Sequence, residues 1–527
     1  MRLPAKPQAA VRSCGVQVRP VRLFACYYTR QGGRPVQALL EKPAGTEIPP
    51  GLRGLAALRW FTQFVRDPVH CLWDAYRKMG PLSYCAGVAP WRKREQKSVL
   101  ALGPEYNRLV LGDIATYHTS AQTRGGPPNS ALRRVRFGLT AMNGEKHRQQ
   151  RQQVIGFFAK KAIDSYHDEV VVGADRLLNS WPADRVVDMS VLVKKMMLHL
   201  SARILFGRED PAQSDRLGDM IGELFNLNWR LGVFLFPFNL PCTPMRRLLR
   251  HAERMERELN AMIDNRRRSP HPEQGDILDL LIRCRDTSDG QMTDADLLGQ
   301  ATILFAASYE TQANALIWTL FLLSQHPEVL ANLCDELWHV LQWSAPSLED
   351  MNRLPYLEAV LKESMRILPP VPFTIRIVSR EAELGGIPLR PRDRVICSHF
   401  ITHHLPELYE EPERFRPQRW FSIEPNQYEY LPFSAGPRWC IGKNLAMAMM
   451  QIVLTRLVQK WRFTMAPNSR IDRYVSVTMG PKHGMPMVLA PQDRRFEAVP
   501  VTGNVHEMVD LKAQGRQSEG LYKPNPT

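Results

Sequence analysis

The chain has 527 residues, a formal net charge of +16, 44% apolar and 23% charged residues and a mean hydropathy of −0.30, values that fit a soluble globular protein. No stretch approaches the roughly eighteen apolar residues that cross a bilayer, so no transmembrane anchor is expected. Nine cysteines, an odd number without metal-ligand spacing, argue against a disulfide framework or a zinc site and fit a reducing compartment, the cytoplasm. The charge is unevenly placed. Arg2, Lys6, Arg12, Arg19, Arg22, Arg30 and Arg34 all precede the first acid, Glu41. Residues 1–47 therefore read as a basic, disordered or surface-draped extension. A mitochondrial transit peptide is the alternative, disfavoured by a single serine and the lack of an amphipathic period. Nucleic-acid binding lacks any zinc-finger, RNP or basic-zipper pattern.

Compact structure is expected from Ile48-Pro49-Pro50-Gly51 to residue 491, as long helices between short Pro-, Gly- or Asp-rich breaks. Strands are expected at Leu82–Tyr84, Val99–Leu102, Arg394–Ile396 and Pro486–Leu489, and residues 492–527 as a polar tail, loose after Phe496. Gly144-Glu145-Lys146-His147-Arg148-Gln149-Gln150-Arg151 is a basic helical segment. Phe234 to Pro244, followed by Met245-Arg246-Arg247, is an apolar loop with a basic edge. Thr293 with Asp296 forms a capping box, from which a helix runs to about Gln325 before His326-Pro327 stops it. At about 1.5 Å per residue it spans roughly 45 Å, the width of a domain. Its apolar run Ala301 to Ala307 is broken by Ser308-Tyr309-Glu310-Thr311-Gln312, a polar patch that a buried helix does not bear without cause. The plain alternative is a back-bonded hydroxyl beside a solvent-facing glutamate.

Glu363 and Arg366 share one helix face at i,i+3, by themselves an ordinary surface pair. Phe433-Ser434-Ala435-Gly436-Pro437-Arg438-Trp439-Cys440-Ile441-Gly442 sets one cysteine in a glycine-flanked loop leading into a helix. The apolar residues Leu445, Ala446, Met449, Ile452, Val453 and Leu457 recur there at helical spacing. Gly436 suits a positive φ, and Gly442 leaves no side chain beside the helix start. Unpaired amides, the helix dipole and Arg438 are expected to lower the thiol pKa.

This decapeptide resembles the heme signature Phe-x-x-Gly-x-Arg-x-Cys-x-Gly of the cytochrome P450 family at every specified residue, and the likeness extends from about Ile48 to Pro491. It implies a mainly α fold with small β-sheets, heme b (iron protoporphyrin IX) lying between a long distal helix and the cysteine-loop helix, and Cys440 as the metal ligand. Ala307-Ser308-Tyr309-Glu310-Thr311 resembles the oxygen-activation motif, with Ser308 where glycine is usual. Glu310 and Thr311 are the implied catalytic acid and alcohol. Pro412 to Trp420 resembles the meander that brings Arg419 to Glu363 and Arg366, a structural cluster fixing the cysteine loop. Phe433, Arg438, Arg376, His147, Arg151 and Gly442 are the implied cofactor contacts. His147 stands where the family pattern Trp-x-x-x-Arg has tryptophan; an exposed histidine on a basic helix is the alternative. Ala307, Phe373 and Thr374 are expected to line the substrate pocket.

The resemblance implies a monooxygenase that hydroxylates or epoxidises an apolar small molecule, fatty acid- or terpenoid-like, with O2. No flavin or dinucleotide module follows the heme region, so a separate ferredoxin, flavodoxin or reductase is the expected electron donor, attracted by Lys146, Arg148, Arg438 and Lys443. A monomer is expected, with transient membrane-surface contact by the 234–244 loop as a further reading. A peroxide-using or rearranging enzyme of the same fold and a non-catalytic heme-thiolate sensor are the rivals.

Overall fold

The computed structural model describes residues 50–87, 96–119, 126–207, 210–228, 230, 232–233, 236–269, 276–287 and 292–511. The basic extension and the chain end therefore lie outside the described residues, as do parts of the segments near 120 and 234.

Helices dominate. In chain order they include α1 (Gly54–Arg66), α2 (Pro68–Met79), α3 (Pro104–Gly112), α4 (Ala131–Val135), α5 (Gly144–Ile155), α6 (Lys160–Asn179), α7 (Met189–Phe206) and α8 (Pro211–Asn228). There follow α9 (Pro244–Arg268), α10 (Ile277–Thr287), α11 (Asp294–Gln325), α12 (Pro327–Leu341), α13 (Pro355–Ile367), α14 (His399–His403) and α15 (Lys443–Lys460). The main sheet joins β1 (Gly51–Arg53), β2 (Leu82–Gly87), β3 (Gln96–Ala101) and β4 (Tyr117–Thr119) to two later strands. After β5 (Arg185–Asp188), these are β6 (Phe373–Val378) and, beyond the hairpin β7 (Ala382–Leu384) and β8 (Ile387–Leu389), β9 (Arg394–Ser398). The order is β1-β2-β3-β9-β6-β4. β10 (Trp461–Met465) pairs with β13 (Pro486–Pro491), which pairs with β5, while β11 (Arg473–Val475) and β12 (Met479–Pro481) form their own hairpin. Three of the four sequence-predicted strands fall inside observed ones, and the fourth, Val99–Leu102, overruns the end of β3 by one residue.

α11 is the axis of the fold. Its capping box forms as expected: Thr293 Oγ1 accepts from Asp296 N at 3.1 Å, and Asp296 Oδ2 accepts from Thr293 N at 3.0 Å. Its second half is apolar all round, and Ala313 to Gln325 are buried throughout, the mark of a helix enclosed by others. Polar side chains then fix its position. Trp318 Nε1 donates to Met479 O of β12 at 3.0 Å, and Thr319 Oγ1 meets Ser364 Oγ of α13 at 2.8 Å. Among the described residues no helix is long and apolar enough to cross a membrane.

One expectation fails. Residues up to Leu511 do not hang loose, because Val501, Val505, Met508 and Val509 recur at i, i+4, i+7 and i+8 and bury themselves. Arg473 Nη2 lies 2.6 Å from both Glu507 Oε2 and Asp67 Oδ2, tying this strap to α2. Four apolar residues among polar ones had concealed a packed segment. Removing the cap hydroxyl of α11 by Thr293→Ala should cost about 1 kcal/mol, read from urea unfolding midpoints at unchanged slope.

Candidate active site

The cysteine loop is held by its own backbone and by α3. Cys440 N donates to Phe433 O at 2.9 Å and Ser434 N to Leu431 O at 2.9 Å, closing the loop ahead of α15. Gly436 has φ +67°, and a Cβ there would lie 2.4 Å from Leu111 O, so glycine is required twice over. Gly442 differs: a Cβ would stand 3.9 Å from Phe158 and 4.0 Å from the Cys440 sulfur, ordinary contact. Its amide donates to that sulfur. Cys440 lies on an accessible surface although protein surrounds it on most sides. Burial therefore pushes its thiol up, outweighing Gly442 N–H, Arg151 and Lys443, against the lowering expected from the helix start alone. Half-buried Phe433 has the Lys443 ammonium 6.0 Å from its ring centre.

Beside the loop the structure gathers cations. Arg438 Nη2 donates to Met142 O at 2.6 Å and Asn143 Oδ1 at 2.8 Å, and Arg376 Nη1 to Thr374 Oγ1 at 3.0 Å. Arg151 Nη2 donates to Trp439 O at 2.9 Å, and its guanidinium lies 5.1 Å from the Trp439 ring centre. Burial, with repulsion from Arg376 and Arg151, brings the Arg438 pKa down to about 10. His147 is buried on α5, not exposed. Burial, Arg438 and Arg151 push its pKa down to about 4, so it is neutral. Among the described residues no carboxylate forms an ion pair with these three arginines, and the buried Nε atoms of Arg376 and Arg438 have no hydrogen-bond partner. Such a group is built for a dianion.

On α11 the polar patch divides. Thr311 Oγ1 donates to Ala307 O at 3.0 Å, beside an exposed Ala307. Ser308 Oγ donates to Phe305 O at 2.8 Å, so the hydroxyl replacing the family's glycine is spent on its own helix. Ser308 O accepts from Ser201 Oγ at 3.1 Å and from Gln312 Nε2. Glu310 turns instead into a cavity of about 820 Å³ between α7, α8, α11 and the β11–β12 hairpin. Thr478 Oγ1 donates to its Oε1 at 3.1 Å, and its Oε2 has no protein partner. Burial raises the carboxyl pKa, opposed by Lys194 and the Thr478 hydroxyl. Phe373, at the start of β6, packs 5.3 Å from the Phe64 ring, and Thr374 is engaged with Arg376.

Glu363 is fully buried and takes two bonds from Arg366 at 2.9 Å each and one from Arg419 at 2.8 Å. Arg416 N and Trp420 Nε1 add donors at 3.1 and 3.0 Å. Burial alone would push this carboxyl up, but Arg366 and Arg419 outweigh it and hold it below the ordinary value. Two of the expected partner-attracting cations are already engaged: Lys146 Nζ lies 2.7 Å from buried Asp296, and Arg148 is doubly bonded to Glu145 at 2.7 and 2.8 Å. Sequence reasoning missed Asn143, Lys194, Thr478 and Trp420, whose roles depend on tertiary contact and leave no pattern along the chain.

The family model described as Cytochrome P450 matches residues 63–486, so the chain belongs to the cytochrome P450 family. It is a monooxygenase with a heme-iron cofactor, using O2 and a redox partner. Cyclooctat-9-en-7-ol 5-monooxygenase of Streptomyces melanosporofaciens is 29% identical over 408 residues, 75% of this chain and 86% of that protein. Cyclooctatin synthase of the same organism is 29% identical over 393 residues, 73% and 84% of the two chains. The retinoic acid-bound cyanobacterial CYP120A1 structure superposes with a TM-score of 0.73 at 24% identity, covering 86% of this chain and all of that one, which establishes the shared fold. The residues present fit a heme: a cysteine with an amide at its sulfur, and unpartnered buried guanidinium nitrogens suited to two propionates.

Gly436→Ala should cost about 2 kcal/mol or more, through the positive φ and the clash at Leu111 O, whereas Gly442→Ala should cost under about 1 kcal/mol. Denaturant unfolding of the two variants reads the contrast.

Proposed function

We propose that Cys440 would ligate the iron of heme b and that Arg376, Arg438, Arg151 and neutral His147 would hold its propionates. The observation that carries this reading is the cluster of buried Arg376 and half-buried Arg438 and Arg151 beside that cysteine, with the Nε atoms of Arg376 and Arg438 buried and unpartnered. Bound there, the heme supplies iron-centred activation of O2, so that one oxygen atom enters a carbon–hydrogen or carbon–carbon double bond and the other leaves as water. The protein supplies the protons. Glu310 lines the cavity and takes up a proton from that side; its raised pKa keeps the proton available at higher pH than an ordinary carboxylate does. Thr311 Oγ1, with its own hydrogen on Ala307 O, keeps lone pairs free to accept and pass that proton on.

Ala307, Phe373 and Thr374 line the substrate side, and a fatty acid- or terpenoid-like molecule suits them. The cyclic alcohol in the first relative's name supports such a substrate. Electrons come from a ferredoxin, flavodoxin or reductase docking near Arg151, Lys443 and exposed Trp439. Exposed Phe236, Phe238 and Leu240 support transient contact with a lipid surface by a monomeric cytoplasmic protein.

Cys440→Ala should abolish the red-shifted Soret band of the reduced carbon monoxide complex, and a persisting band would mean another ligand. Thr311→Ala should raise electron consumption per product, and Glu310→Gln should slow product formation about a hundredfold. Unchanged coupling and rate in both variants would remove the relay. Full turnover with peroxide and no reductase would remove the monooxygenase cycle.

A further inference from the structure

The sequence places the Glu363 network behind the cysteine loop, yet its hydrogen bonds end on residues 403–420 and none reaches the loop. An imidazole spans the gap. His403, the last residue of α14, is completely buried; its Nδ1 lies 3.1 Å from Arg366 O and its Nε2 2.8 Å from Leu431 N. A main-chain amide only donates, so Nε2 is the acceptor, and Nδ1 carries the proton and donates to Arg366 O. The two contacts fix one neutral tautomer. His403 O in turn accepts from Arg366 Nη1 at 2.8 Å, so the residue meets Arg366 through both its backbone and its ring.

Beyond Leu431 the path enters the site. Leu431 O accepts from Ser434 N, and Phe433 O from Cys440 N, each at 2.9 Å. Tyr430 and Tyr409 pack on the imidazole at 5.5 and 6.4 Å between ring centres, leaving it no freedom to turn. Burial, with His399, Arg366 and His404 nearby, keeps the ring uncharged, as the Leu431 contact requires.

We infer that His403 is the positioning residue that couples the Glu363–Arg366–Arg419 network to the cysteine loop, holding Leu431 and through it the turn that presents the Cys440 sulfur. A side chain here must donate at one end and accept at the other across a fixed span. An aliphatic one leaves Leu431 N–H and Arg366 O buried without partners. The inference rests on Cys440 as the heme ligand.

The test uses purified holoenzyme. In His403→Leu the red-shifted Soret band of the reduced carbon monoxide complex should decay about tenfold faster, and amide hydrogen exchange at Leu431 should rise by about the same factor, as for loss of one buried hydrogen bond. Heme content and far-ultraviolet circular dichroism stay unchanged. His403→Gln, which both donates and accepts, should restore most of both readouts. Wild-type decay and exchange in His403→Leu overturn the inference. Should that variant fail to fold, His403→Gln decides: a stable band with a protected Leu431 amide supports the role, and decay with heme retained overturns it. A protein lacking the band before any substitution overturns the assignment of Cys440 instead.

Discussion

A carboxylate with no access to water organises this molecule. Glu363 is completely buried, and an uncompensated charge there would cost several kcal/mol, so the fold must bring it donors from wherever they lie in the chain. It brings five. Two come from Arg366 on the same helix, and Arg419, Arg416 and Trp420 supply the rest from more than fifty residues away. The arginines then spend their remaining donors on the carbonyls of His403, Glu410, Glu411, Pro412 and Arg414, so an irregular stretch acquires a fixed path without regular secondary structure. That stretch is the platform from which His403 reaches Leu431 N, ahead of the cysteine loop.

The second charge cluster has the opposite balance. Around Glu363 every charge finds a protein partner, which is the signature of architecture. Around Arg376, Arg438 and Arg151 the described residues supply carbonyls, an amide oxygen and a hydroxyl but no carboxylate. Two kinds of ionic site thus lie in one fold, one complete in itself and one that the proposed heme propionates would complete. The contrast separates residues whose loss unfolds the chain from residues whose loss empties it.

Local chemistry was legible along the chain and tertiary chemistry was not. The capping box of α11, the glycine demanded at 436 and the Glu363–Arg366 pair each depend on neighbours within one turn of helix or loop. Arg419 was legible only through the family resemblance. His403 gave no signal, since one histidine in a His-His-Leu-Pro run reads like any other. Lys146 and Arg148 read as free surface cations because Asp296 lies far away in sequence and Glu145 binds so closely. The strap from Val501 to Val509 was missed because polar residues dilute its apolar period. Ser308 shows the limit from the other side: the departure from the family pattern was visible, but only the structure reveals that its hydroxyl is tied to Phe305 O.

Neighbouring residues of a helix point about 100° apart, and at Glu310 and Thr311 that elementary angle gives the two side chains different surroundings. Glu310 lines the cavity under the β11–β12 hairpin together with Lys194, Asp219 and Glu223, whereas Thr311 stands one turn beyond the exposed Ala307. If Glu310 supplies protons as proposed, substitutions at Ala307 leave the charged lining of its cavity in place, so substrate range can drift while the proton supply stays the same.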